Sequence, residues 1–166
     1  MTSEITAVPL TSEAFAPFGD VIDMRGAPSF QFNSGMCDRY HDLARLHVAG
    51  TDARLNISLA RARPYALPVS VPMVERHPFG SQAFIPLGPQ PFLVFVAADT
   101  DGRPDEPLAF LTEPGQGVNY LPNVWHGVLT PLLDVSNFAV IDREGPGDNL
   151  EIYTFETPYR IVTDAA

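Results

Sequence analysis

Apolar side chains recur at every second position along much of the chain, in short runs interrupted by Gly, Pro, Asn and Asp, the pattern of β-strands joined by turns. Residues 54–63 alternate most strictly, with Leu55, Ile57, Leu59, Arg61 and Arg63 in one phase. Residues 19–23, 29–33, 107–112, 118–121, 135–142 and 149–155 read as further strands, and residues 36–42 as a strand or a strand-to-loop passage. Residues 91–98 are apolar on both faces, which predicts either a central strand or one covered by another subunit. One short helix is expected over residues 11–19, where a Thr or Ser N-cap, an early Glu and a terminal Gly stand in order. About ten short strands, a single helix and no βα alternation predict an all-β sandwich or barrel, in one domain over residues 1–166.

Within this pattern residues 71–88 stand apart. Val71, Met73, Glu75 and His77 fall in one phase, so a carboxylate and an imidazole are expected on the face that Val71 and Met73 bury. After a Pro78-Phe79-Gly80 turn, Gln82 returns a third polar group to the same place, which predicts a pocket floor. Two ionisable groups in phase on an apolar strand point to function, because charged residues are rarely buried without a partner or a chemical role. The structural alternative is a buried Glu–His or Glu–Arg pair.

Composition narrows the chemistry. The chain has 166 residues, 45% of them hydrophobic, and a formal charge of -10; all ten basic residues are Arg. So acidic a chain is a poor fit to nucleic acid or anionic membrane, and the absence of Lys excludes a Schiff base from a side-chain amine. Cys37 is the single cysteine, so an internal disulfide and a cysteine-cluster zinc site are both excluded. A metal would have to be held by His, Glu, Asp or Gln. No apolar stretch approaches the roughly 18 residues of a membrane span, and Met1-Thr-Ser-Glu-Ile5 lacks the basic and apolar regions of a secretory signal, so a cytoplasmic location is expected. Arg61, in phase with the leucines, is a candidate to grip an anionic ligand, its alternative being an ion pair with an interior carboxylate such as Glu75.

Two segments bear on chemistry together. Glu75-x-His77-x4-Gln82-x5-Gly88 and Gly117-x4-Pro122-x3-His126 resemble the two cupin motifs, with Glu75 at the first His position and Gln82 at the Glu position. The fold implied is a cupin-like β-barrel, a double-stranded β-helix or jelly roll, with a short N-terminal helix. The strings Arg39-Tyr-His-Asp-Leu-Ala44, Glu75-Arg-His-Pro-Phe-Gly-Ser-Gln-Ala-Phe-Ile-Pro86, Gly115-Gln-Gly-Val-Asn-Tyr120, Asn123-Val-Trp-His126 and Ile141-Asp-Arg143 resemble the ureidoglycolate lyase family, from the Phe15 helix to about Arg143. Residues beyond Arg143 carry none of that resemblance.

The resemblance implies release of urea from (S)-ureidoglycolate to give glyoxylate, a late step in the catabolism of allantoin and purine nitrogen. Glu75, His77 and His126 are then the expected catalytic residues, and Arg61, Gln82, Asn119 and Tyr120 the expected substrate-binding ones. Alternation lets only one of Asn119 and Tyr120 face inward. His77, His126, Glu75 and Gln82 form the candidate metal set, for a loosely held nickel, manganese or zinc ion, with no organic cofactor. The partners implied are a small anionic substrate and a second copy in a homodimer. Rival readings are a non-catalytic cupin that binds or senses a small molecule, and a cupin isomerase or epimerase.

Overall fold

The computed structural model describes residues 3–164, so Met1 and Thr2 of the stretch read for a targeting signal lie outside the described residues. The chain begins with β1 (Glu4–Pro9), α1 (Ser12–Phe15), β2 (Gly19–Ile22), β3 (Phe30–Phe32), β4 (Cys37–Arg39) and β5 (Arg54–Ala62). Its centre holds β6 (Val69–Arg76), β7 (Gln82–Pro86), β8 (Phe92–Ala97), β9 (Asp99–Thr100), β10 (Arg103–Pro104) and β11 (Leu108–Leu111). It ends with β12 (Gly117–Tyr120), β13 (Trp125–His126), β14 (Thr130–Pro131), β15 (Ser136–Glu144) and β16 (Glu151–Thr163). The all-β expectation holds, and the fold is a cupin-like barrel. Among the described residues no helix is long and apolar enough to cross a membrane.

Strands β11, β1, β16, β6, β13 and β8 pair in that order, and β8 pairs back onto β11 to close a six-stranded ring. The ring is mixed: β1 runs parallel to β11 and β16, while the remaining neighbours are antiparallel. Strands β2, β12, β7, β15 and β5 form a separate antiparallel sheet. Small hairpins, β3 with β4 and β9 with β10, stand beside these layers. Closure removes exposed strand edges from the ring, which a flat sheet would have to protect by other means.

Alternation along β8 divides the core. Leu93, Phe95 and Ala97 join Val69, Val74, Ala109, Trp125 and Ile161 in one cluster inside the ring. Phe92, Val94 and Val96 point the other way and pack with Phe15, Phe110, Val118, Tyr120 and Phe138 between ring and sheet. The doubly apolar β8 is therefore covered on both faces by its own chain. Phe138 is fully buried and meets Phe92 edge to face at 5.2 Å. Phe138→Ala is expected to cost roughly 3–5 kcal/mol of stability, since the cavity forms between two layers that hold each other apart. Urea unfolding monitored by tryptophan fluorescence measures it.

Helix α1 is a single turn, started by Thr11, whose hydroxyl accepts from the Ala14 N–H at 3.2 Å. It drives Phe15 into the interlayer cluster. Gly19 follows because β2 crosses β12 so closely that a Cβ there would lie 1.8 Å from the Asn119 carbonyl oxygen. Besides the two-residue strands β9, β10, β13 and β14, two longer strands depart from the expected pattern. β1 lies in a stretch where none is expected, and β16 extends far beyond residues 149–155 to sit in the ring between β1 and β6. The C-terminal residues are thus part of the barrel.

Candidate active site and metal-binding cluster

Strands β6, β7, β12 and β13 deliver the polar groups. His126 lies opposite Glu75 in register, and Trp125 beside it enters the ring cluster, so His126 turns to the interlayer side. There its ring stacks flat on Tyr120, with centroids 4.2 Å apart and planes within 4°. Gln82, opposite Tyr120 across β7 and β12, shares that side. One correction concerns β6. Val71 packs against the same cluster as Val74, so strict alternation breaks between them and Glu75 does not inherit Val71's face. The break lies where β16, the paired strand, has an irregularity between Thr154 and Tyr159.

One ligand atom from each of Glu75, His77 and His126 falls within 4.8 Å of the others. The His77 and His126 ring centroids are 5.2 Å apart, and His77 Nε2 lies 3.9 Å from Glu75 Oε1. Backbone contacts fix both imidazoles. His77 Nδ1 donates to the Asn149 carbonyl at 2.7 Å, and the Asn123 N–H donates to the His77 carbonyl at 3.1 Å. His126 Nδ1 donates to the Gly127 carbonyl at 3.0 Å. With both Nδ1 positions committed, both Nε2 atoms are directed to the cluster.

Burial pushes the Glu75 carboxyl above its usual range, against the pull of His77. It brings the His126 imidazole down to about 3, helped by His77 and opposed by the Gly127 carbonyl, so His126 is neutral at pH 7. Burial also raises the Tyr120 phenol, with the Glu75 charge adding to the effect. His126 Nε2 therefore carries a buried lone pair that no group among the described residues satisfies. His77 Nε2 faces an oxygen too: Gln82 Oε1 stands 3.2 Å away. These groups converge where a metal ion fits. The residues present can hold a metal ion, because two imidazole nitrogens, a carboxylate and an amide oxygen form a mixed donor set suited to a divalent transition metal.

Stability should follow the His126 proton. The folded value near 3 lies below the ordinary 6.5, so between them the unfolded chain binds the extra proton. This contribution is present above pH 6.5 and is lost as pH falls through the window toward 3. Its size is on the order of 2 to 5 kcal/mol. Glu75 works in the opposite sense, its raised carboxyl favouring the folded state as it takes a proton. In metal-free protein the urea midpoint is expected to fall from about pH 7 to about pH 4.5, and His126→Gln to flatten that slope.

The structure gathers Glu75, His77, Gln82, Tyr120 and His126, and it sends two candidates elsewhere. Arg61 does share a face with Leu59 and Ile57, but that face is outward: Ile57 is 72% and Leu59 76% exposed, and the Arg61 guanidinium donates to Asn137 on neighbouring β15. It pairs neither with Glu75 nor with any group of the cluster. Asn119 also faces away from the cluster, buried where its amide donates to Asp20 at 3.0 Å and to the Arg45 carbonyl at 3.1 Å. Burial tends to raise the Asp20 carboxyl, but the Arg45 N–H, the Asn119 amide and the Arg45 guanidinium together bring it below its usual value. Asn119 thus ties residues 43–48 to the sheet.

Arg76, the cation nearest in sequence, leaves the site as well. It pairs with Asp99 and Glu151 at 2.6 Å and lies over the Trp125 ring. Among the described residues no arginine pairs with Glu75, His77, Gln82 or His126. A cavity of about 360 Å³ bordered by Tyr65, Val71, Leu93, Phe95 and Val128 touches none of these four, and its apolar lining does not suit a polar hydroxy acid. Two further participants are not among the residues expected from the sequence. Asp142 accepts from the Gln82 amide at 3.3 Å, and Asn149 holds His77 and, through its side chain, the Phe79 N–H at 2.7 Å. Asp142 stands inside the Ile141-Asp-Arg143 string, which was a signal; Asn149 had none.

A sequence model of ureidoglycolate lyase matches residues 2–162. The chain belongs to the ureidoglycolate lyase family. Among relatives, it is similar to "Ureidoglycolate lyase" of Mesorhizobium japonicum, 57% identical over 159 residues, covering 96% of this chain and 98% of the relative. It is 58% identical over 153 residues to "Ureidoglycolate lyase 2" of Rhizobium meliloti, covering 92% and 94%. The Brucella abortus "Ureidoglycolate lyase" is 54% identical over 160 residues, covering 96% and 95%. Family membership extends past Arg143, consistent with β16 being a barrel strand.

Proposed function

We infer that this chain is a carbon–nitrogen lyase that cleaves (S)-ureidoglycolate to glyoxylate and urea in purine nitrogen catabolism. The observation that carries the site assignment is the convergence of Glu75, His77 and His126, with a buried, unsatisfied His126 Nε2, in a member of this family. The substrate carbon bears a hydroxyl, a carboxylate and a urea nitrogen. Removal of the hydroxyl proton, breakage of the carbon–nitrogen bond and protonation of that nitrogen give an aldehyde and urea, with no water consumed. One proton moves between two atoms on the same carbon, so a single group can take it and return it.

Glu75 is placed to carry that proton, since burial raises its proton affinity toward that of a working acid–base group and His77 Nε2 lies beside it. Tyr120 holds His126 by stacking and closes its side of the site. With no arginine in the cluster, the substrate's negative charge calls for another cation. His77, His126, Glu75 and Gln82 would hold a divalent ion, nickel, manganese or zinc, weakly because Gln82 is a neutral oxygen. Such an ion would supply Lewis acidity toward the substrate's oxygens.

The remaining partners follow the same reading. The partner chemistry is a small anion, with no nucleic acid and no membrane, in the cytoplasm. A homodimer is supported by the exposed Leu55, Ile57 and Leu59 on the outer face of β5. The deciding experiment is urea release from each ureidoglycolate enantiomer. Turnover of the S form is the expected result; a site that binds it without releasing urea would make this a non-catalytic cupin.

A further inference from the structure

We propose that Asp142 is a positioning residue that fixes which end of the Gln82 amide faces the cluster, and thereby keeps His77 open to a divalent cation. The inference rests on the metal-holding role assigned to the cluster above. Gln82 begins β7 and Asp142 lies on the neighbouring strand β15, one residue beyond the Ile141–Ala83 pair, so both point to the interlayer side. An ionised carboxylate only accepts, so the end of the amide that meets Asp142 Oδ2, at 3.3 Å, is the NH2 end. The other end, Oε1, is then turned to His77 Nε2 at 3.2 Å.

The alternative orientation has a chemical consequence. His77 Nδ1 is committed as a donor to Asn149, so in the neutral ring Nε2 is a lone pair. A Gln82 turned end for end would donate its N–H to that lone pair and cap it, removing both His77 and the amide oxygen as ligands. Asp142 blocks this by holding the donor end. The neutral amide that stands where the cupin pattern has Glu therefore acts as an oxygen ligand because a carboxylate behind it selects the rotamer. Outer groups that orient ligands in this way typically change metal affinity about 10- to 100-fold.

The test is calorimetric titration of the metal-free protein with Mn²⁺ and with Zn²⁺, for the parent chain, Asp142→Asn, Gln82→Glu and the double variant. Asp142→Asn is expected to weaken both ions about 10-fold or more in the parent background. In the Gln82→Glu background it is expected to leave affinity unchanged or to tighten it, because a carboxylate at residue 82 presents oxygen whichever way it turns and is freed from like charge at residue 142. Equal losses in both backgrounds would show a general structural role and overturn the proposal, as would no loss in either or no binding by the parent. Urea release in the same preparations separates the two readings. Turnover without metal binding removes the proposal and leaves the lyase, whereas the Asp142 signature without turnover removes the substrate assignment and leaves the metal site.

Discussion

Glu75→Gln is expected to lower kcat for urea release about 10²- to 10⁴-fold while leaving the barrel folded, because the substitution removes a proton carrier and keeps its shape. Burial raises the Glu75 carboxyl and the adjacent His77 draws it back, so the group can take a proton from a hydroxyl and surrender it to a departing nitrogen. An amide can do neither. The carbonyl oxygen of Gln keeps one hydrogen-bond acceptor near His77, so KM should change far less than kcat, the signature of an interaction made mainly in the transition state. Stability should not suffer: a half-buried carboxylate that costs desolvation is replaced by a neutral group. The limb of the pH–rate profile that reports the free-enzyme carboxyl should vanish with it. A variant with unchanged kcat would show that His77 or another group carries the proton.

Much of this site could be read from residue order, and the errors have identifiable causes. Alternation correctly placed Arg61 with the leucines, yet it does not say which side of a strand is inside. Along β5 the apolar phase proved to be the outer one, because Phe138 and Val140 of β15 fill the interlayer side while Ile57 and Leu59 stay exposed. Along β6 the two-residue period does not hold from Val71 to Glu75. Val71 and Val74 enter the same cluster, a shift of phase that two-residue periodicity cannot anticipate. Asn119 and Tyr120 were correctly set on opposite faces. The choice between them depended on residues 43–48 covering the Asn119 side, a contact far away in sequence. Asn149 was beyond reach for another reason: it contributes to His77 a main-chain carbonyl, which any residue possesses.

Those same contacts explain how two imidazoles from different strands come to face one point. The barrel takes Trp125 into its interior and so forces His126 outward, against Tyr120 and under the five-stranded sheet, where no group among the described residues satisfies Nε2. Leaving a buried acceptor unsatisfied costs about 1–3 kcal/mol, and a fold tolerates that cost where a ligand completes the group. His77 is held from outside the sheet, by Asn149 in the loop before β16, which directs its Nε2 to the same point. The C-terminal segment thereby contributes to the site as well as to the ring.

Exhaustive chelation is expected to reduce urea release at least about 10²-fold, and readdition of one divalent ion to restore it, because the cluster otherwise offers no permanent positive charge to an anionic hydroxy acid. The donor set is two imidazole nitrogens, a carboxylate and one amide oxygen, which should hold nickel and zinc more tightly than manganese. Manganese should therefore be lost first on dialysis. His77→Ala removes the nitrogen that faces both Glu75 and Gln82, so it is expected to abolish turnover and to prevent rescue by any of the three ions. His126→Ala should weaken metal binding as strongly and also loosen the Tyr120 stack, so its unfolding midpoint should fall where that of His77→Ala, a less buried residue, moves little. Full activity after chelation would reject the ion and leave the proton transfer to Glu75 and its neighbours alone. Loss on chelation with His77→Ala still rescued would instead place the ion away from this cluster.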